Sequence, residues 1–154
     1  MLIEKIKNRE SGIVLYGITP PKKGTSMEKI KDISARQIQR LQGLNVDGLI
    51  LYDIQDEKSR TSEERPFPYM ETLDAYSYSE QHLGSLSIPK VIYRSVGKYS
   101  ESEIRDFMAN ASEEEVLTVF VGSPSKKQGV TLTMNEAYKL RKEANSNMLL
   151  GGVT

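Results

Sequence analysis

The sequence predicts a single α/β domain over residues 1–154, of the (β/α)8 barrel type, with only the first five β/α units present. Short apolar, β-branched runs recur at intervals of roughly 30 to 40 residues, each followed by a polar loop and a helical pattern, as βαβ units require. A complete barrel needs about 250 residues. The last run is followed by Gly151-Gly152 with no closing helix, which favours an incomplete barrel. The alternative is a doubly wound five-stranded parallel sheet.

The first β/α unit shows the pattern that the others repeat. An apolar run stops at Pro20-Pro21, because proline cannot donate to a strand ladder. Thr25 and Glu28 fit a capping box that opens the next helix, as do Ser100 with Glu103 and Thr133 with Glu136. We expect the first strand to be buried on both faces. The predicted strands are 13–18, 49–54, 90–96, 116–121 and 148–150, and the predicted helices are 1–10, 27–44, 69–83, 100–110 and 133–145.

Composition excludes several classes of function. Basic and acidic residues number 21 each, so the net charge of zero argues against nucleic acid or an anionic membrane as the main partner. The absence of cysteine excludes disulfides and thiolate chemistry, and one histidine excludes a multi-histidine metal site. The sequence has no apolar run of membrane-spanning length and no signal-peptide pattern. We therefore expect a cytoplasmic protein without a bound metal.

The loop after the second strand is the strongest candidate for a functional segment. Residues 55–68 are too many for a simple βα connection, and long loops are often functional. The loop mixes carboxylates with Arg60, Arg65 and Phe67, a composition that suits a polar ligand with a flat ring. The alternative is a solvated loop whose charges pair with one another.

Side chains at other strand ends point to the same edge of the sheet. Tyr16, Tyr52 and Tyr93 lie on three different strands, where they could line a flavin or pterin pocket or belong to the core. Arg94 lies inside an apolar strand and therefore needs an ion partner or a ligand. Lysines follow three strands and could hold a diphosphate or a polycarboxylate, or be ordinary loop residues.

These residues, taken together, resemble the N-terminal part of the methylenetetrahydrofolate reductase family. The resemblance rests on an opening amphipathic helix, the segment Thr19-Pro20-Pro21-Lys22, Tyr52 at the end of the second strand, the segment 120–124 that ends the fourth, and the ending Gly151-Gly152-Val153-Thr154. It implies an eight-stranded α/β barrel, a folate substrate, FAD, and NADH or NADPH as the electron donor. The cofactor-binding residues that we predict are Thr19, Tyr52, Gln55, Arg60, Arg65, Tyr93, Arg94, Gly122 and Ser123.

The departures from the family are equally informative. The resemblance places a catalytic glutamate at position 17, where this chain has glycine, and an Arg-Gly-Asp where it has Val121-Gly122-Ser123. An acid would then have to come from Asp53, Asp56 or Glu57. The sequence therefore predicts a divergent flavin-dependent reductase of one-carbon folate metabolism, or alternatively a non-catalytic folate- or cofactor-binding accessory module. We expect a second copy, or the missing C-terminal half, to cover the edges of the sheet.

Overall fold

The structure is a computed structural model that describes residues 1–54, 69–122 and 132–153. Within these ranges a parallel sheet of five strands is flanked by α-helices, which confirms the predicted α/β fold. The elements are α1 (Leu2–Lys7), β1 (Leu15–Ile18), α2 (Met27–Gln42), β2 (Gly48–Leu51), α3 (Ala75–His82), β3 (Lys90–Ser95), α4 (Glu101–Asn110), β4 (Val116–Val121), α5 (Met134–Ala144) and β5 (Leu150–Gly152).

The strands lie in chain order across the sheet, β1-β2-β3-β4-β5, and every neighbouring pair is parallel. β1 and β5 are consequently the two edges, as the sequence predicts. A (β/α)8 barrel closes with eight strands, so the described sheet does not by itself establish closure. None of the helices in the described ranges is long and apolar enough to cross a membrane.

Alternate side chains of the three central strands, β2 to β4, enter two separate apolar clusters, as the period of two requires. The larger cluster lies between the sheet and helices α2 to α5, and we call this side the helix-covered face. The smaller cluster lies on the other side, the open face, and includes Val91, Leu117 and Val119.

Helix α1 covers one end of the open face. Its residues Leu2 and Ile3 are buried in the smaller cluster, and a Cβ at Gly48 would lie 2.5 Å from Leu2 Cδ2. Gly48 is the first residue of β2, so α1 packs over the amino ends of the strands. Among the described helices, α1 thus covers the amino ends of the strands on this face, and α2 to α5 pack on the other face.

Strand β1 does not have the two buried faces expected from its apolar sequence. Leu15 is 40% exposed and Val14 is 52% exposed. This strand stays in contact with solvent because it lies at the edge of the sheet and because α1 covers only one end of the open face.

The second predicted helix begins later than its sequence indicates. Residues 71–73 lie antiparallel to residues 21–23, because the Lys23 amide donates to the Glu71 carbonyl oxygen and the Leu73 amide donates to that of Pro21. Asp74 then caps α3 by accepting a hydrogen bond from the Ser77 amide. The helix therefore starts at Ala75 rather than at residue 69.

Two of the three predicted capping boxes are confirmed. Ser100 with Glu103, and Thr133 with Glu136, each form both reciprocal hydrogen bonds. The first prediction was wrong, since the cap of α2 is Ser26, which accepts from the Lys29 amide. The Thr25 hydroxyl instead donates to the Lys22 carbonyl oxygen. The fifth strand, predicted at 148–150, is observed at Leu150–Gly152.

Candidate ligand-binding site at the carboxyl ends of the strands

Two tyrosines and a glycine form an aromatic recess on the open face. Tyr52 follows the last residue of β2, and Tyr93 lies on the neighbouring strand β3. Their ring centroids are 5.2 Å apart with an interplanar angle of 72°, an edge-to-face arrangement that aromatic pairs favour. On the other side of Tyr52, Gly17 of β1 has no side chain, and the tyrosine ring lies over it.

The recess remains accessible to a ligand. Tyr52 is 41% exposed although it packs against two strands. Within the described part of the chain, neither the Tyr52 hydroxyl nor the Tyr93 hydroxyl has a hydrogen-bond partner. Each hydroxyl can donate one hydrogen bond and accept others, so the recess offers a ring surface and two polar groups that have no partner among the described residues.

Asp53 fixes the carboxyl end of β2 to that of β3. Its side chain is only 5% exposed. One carboxylate oxygen accepts from the Ser95 amide at 2.8 Å and from the Tyr99 hydroxyl at 2.8 Å, and the other accepts from Lys98 Nζ at 2.6 Å. Lys98 Nζ also donates to the Ile54 carbonyl oxygen. This tether holds Tyr52, the residue before Asp53, beside β3.

Arg94 lies on the helix-covered face, on the opposite side of β3 from Tyr93. Its guanidinium donates from Nη1 to Asp74 Oδ2 at 2.6 Å and from Nη2 to Oδ1 at 3.3 Å, a bidentate pair. Its central carbon lies 4.3 Å from the ring centroid of Phe107 and 4.9 Å from that of Tyr99. The arginine side chain is 4% exposed, so its charge is compensated inside the protein.

Burial and charge act against each other in this network. Burial alone would raise the pKa of Asp74, but the charge of Arg94 and hydrogen bonds from Arg94 and Ser77 outweigh it, and the pKa of Asp74 is lowered. Burial, reinforced by the neighbouring Asp53, raises the pKa of Tyr99 well above its ordinary value. Tyr99 is therefore a neutral hydroxyl that donates to Asp53 and accepts from Arg94.

The structure brings together only some of the residues predicted for the site. Tyr52 and Tyr93 meet in the recess, whereas Arg94 takes the ion-paired alternative and is directed away from it. Thr19 lines a separate cavity of about 470 Å³ beside the start of α2, and Gly122 follows β4. Six predicted residues lie outside the described ranges, and their roles stay predictions: Gln55, Asp56, Glu57, Arg60, Arg65 and Ser123.

Two of the cations that could hold a diphosphate are already paired within the protein, and FAD stays a prediction. Arg94 and Lys98, two cations expected near the strand ends, are paired with the carboxylates of Asp74 and Asp53. The open-face side chains that the structure places near the recess are aromatic or aliphatic. Likewise, the described part of the chain contains no group of three side chains suited to a metal ion.

Sequence reasoning missed three features of this region. From the sequence, Gly17 is interpreted as the replacement of a catalytic glutamate, whereas in the structure it provides space for the Tyr52 ring. Nothing in the sequence pattern around Asp74 or Tyr99 indicated a function. Asp74 precedes a helix, and Tyr99 lies in a short loop. The position of Asp74 before Ala75 does carry a helix-cap pattern, which a search for caps would find.

Comparison with protein-family models and with curated protein sequences finds no match to this chain. A solved structure does resemble it: an uncharacterised protein from Clostridium thermocellum that binds two copies of 5-methyl-5,6,7,8-tetrahydrofolic acid. The two share 45% sequence identity with a TM-score of 0.82, over 99% of this chain. This chain spans 47% of the length of that protein.

Proposed function

We propose that this chain is a folate-binding module whose ligand is a reduced folate of the 5-methyltetrahydrofolate type. The observation that carries the proposal is the similarity to the Clostridium thermocellum protein, which extends over nearly the whole of this chain at 45% identity. At this identity the side chains that line a shared cleft are frequently retained. The aromatic recess at the carboxyl ends of the strands supports the proposal, because ligands of parallel α/β folds bind at that end.

We favour binding over the flavin-dependent reduction that the family resemblance implies. Position 17 carries no proton donor. Both carboxylate oxygens of Asp53 already accept hydrogen bonds, one from the Ser95 amide and the other from Lys98 Nζ. Arg94, which we had predicted to bind the cofactor, is paired with Asp74. The folate-binding alternative requires none of these groups to transfer a proton.

The five β/α units are, in this proposal, part of a (β/α)8 barrel whose open face becomes the interior. The sequential strand order supports this, since a doubly wound sheet reverses its order at a switch point. The clustering of α2 to α5 on one side of the sheet also supports it. Hydrogen exchange tests the proposal: strongly protected amides at the exposed edge of β1 would show that another strand pairs there, and rapid exchange would contradict closure.

Isothermal titration calorimetry with 5-methyltetrahydrofolate tests the proposed function directly. We expect saturable binding with one folate per chain, and no comparable heat with FAD. A parallel assay that follows NADPH oxidation with methylenetetrahydrofolate and added FAD should show no turnover. A protein that fails to bind the folate contradicts the proposal, and turnover at rates usual for enzymes, about 1–10³ s⁻¹, would instead support the reductase.

A further inference from the structure

The glycine at position 17 determines where the Tyr52 ring can lie. A Cβ at this position would be 2.7 Å from Tyr52 Cε2 and 2.9 Å from the Tyr52 hydroxyl oxygen. Such distances are shorter than carbon–carbon and carbon–oxygen contacts allow. Any other residue at 17 therefore forces the Tyr52 ring to move, and the reason is space rather than backbone conformation.

The displaced ring could not keep its present position against Tyr93. Tyr52 has Gly17 on one side and the Tyr93 ring on the other, at a centroid distance of 5.2 Å. The three residues come from three adjacent strands, so their spacing is set by the sheet. Asp53 holds the backbone next to Tyr52 through its hydrogen bond from the Ser95 amide. The recess is therefore formed before a ligand arrives, which lowers the entropic cost of binding.

The chemistry of the recess selects one half of a folate. Both tyrosine hydroxyls lack partners within the described residues, and a ring that stacks here can reach them with polar groups on its edge. The pterin has nitrogen and oxygen donors and acceptors around its ring. The benzoyl ring of a folate has four C–H positions and polar groups only at its two ends, the N10 amine and the amide carbonyl, so it offers the two hydroxyls fewer partners.

We propose that the pterin ring of a reduced folate stacks on the Tyr52 ring, which lies over Gly17, with the Tyr93 ring beside it, an inference that rests on the proposed folate-binding function. Tyr52 supplies the ring surface, and Gly17 is a specificity-determining residue that acts through Tyr52. The folate tail then extends away from the recess toward solvent.

Four variants and a matched control test this assignment by calorimetry with 5-methyltetrahydrofolate. Tyr52→Ala should raise Kd about 10- to 100-fold, since stacking on an aromatic side chain has an effect of this size. Tyr52→Phe keeps the ring and should raise Kd only about two- to tenfold. Gly17→Ala should raise Kd at least about fivefold, but should add nothing in a Tyr52→Ala background. The control is Tyr138→Ala, because Tyr138 is also 41% exposed but lies on α5.

Nuclear Overhauser contacts identify which half of the folate touches the recess. The 5-methyl protons of the ligand should contact the ring protons of Tyr52 and Tyr93, with the Tyr52 signals assigned from the Tyr52→Phe variant. Contacts from the benzoyl protons instead would overturn the assignment, as would wild-type affinity in Tyr52→Ala. These results differ from failure of the proposed function, in which the wild-type protein itself binds no folate. Circular dichroism of each variant establishes that it is folded.

Discussion

The two faces of the sheet differ most sharply at the neighbouring residues Tyr93 and Arg94. Arg94, on the helix-covered face, is bound by Asp74 and stacked between Phe107 and Tyr99. Tyr93, on the open face, contacts Tyr52, and its hydroxyl has no partner within the described residues. Consecutive residues of a strand face opposite sides. The comparison teaches that one face of β3 compensates a buried charge with a carboxylate from the protein itself, while the other presents an aromatic hydroxyl without a partner among the described residues.

The strongest test of this contrast removes the charge that compensates Arg94. Asp74→Asn retains a helix cap but leaves the buried guanidinium without a carboxylate. We expect the free energy of unfolding in urea to fall by about 2–3 kcal/mol, somewhat less than for a fully buried pair because Asp74 is partly exposed. Asp32→Asn is the matched control, since Asp32 pairs with Arg36 on the exposed surface of α2. That change should cost less than about 0.5 kcal/mol.

The tether at Asp53 is expected to have the next largest effect. Asp53→Asn removes the ion pair with Lys98 and leaves one of the two oxygens as an acceptor. The free energy of unfolding should fall by about 2 kcal/mol, and folate affinity should fall with it because Tyr52 loses its anchor. If Asp53 were instead a proton donor without a structural role, the variant would unfold at the same urea concentration as the wild-type protein.

The Arg94–Asp74 pair also predicts a dependence of stability on pH. The pKa of Asp74 is lower in the folded protein than its ordinary value. A carboxyl of this kind stabilises the fold above its unfolded pKa of about 3.9, and the contribution is lost as pH falls through the folded value. The difference in unfolding free energy between wild type and Asp74→Asn should therefore be constant near neutrality and shrink below about pH 4. A difference that grows toward acid would contradict the assignment.

The smallest expected changes in stability come from removing one tyrosine hydroxyl on each face of the sheet. The Tyr99 hydroxyl donates to Asp53 and accepts from Arg94, so Tyr99→Phe should lower the unfolding free energy by about 1–2 kcal/mol. Tyr93→Phe removes a hydroxyl without a described partner and should leave stability unchanged within about 0.5 kcal/mol. Thermal unfolding followed by circular dichroism distinguishes them. Equal losses in both variants would mean that the two faces do not differ as described.

The amino-acid sequence alone determined the local elements of this protein. The β4 bounds of Val116–Val121 and the capping boxes at Ser100 and Thr133 follow from patterns within a few residues, and the structure reproduces them. The parallel arrangement also follows, because helices between successive strands return the chain to the same edge. Local preferences are sufficient where no distant contact competes with them.

Only the tertiary structure decided which polar residues form contacts within the protein and which line the recess. The position of residues 71–73 before Asp74 depends on hydrogen bonds to Pro21 and Lys23, about 50 residues earlier in the chain. Similarly, the sequence marks Gly17 only as a missing carboxyl, since the Tyr52 ring that occupies the space comes from another strand. Arg94 needed a partner, but only the packing of α3 against β3 supplied Asp74. Contacts between residues far apart in sequence depend on the folded arrangement, and no periodicity within one segment reveals them.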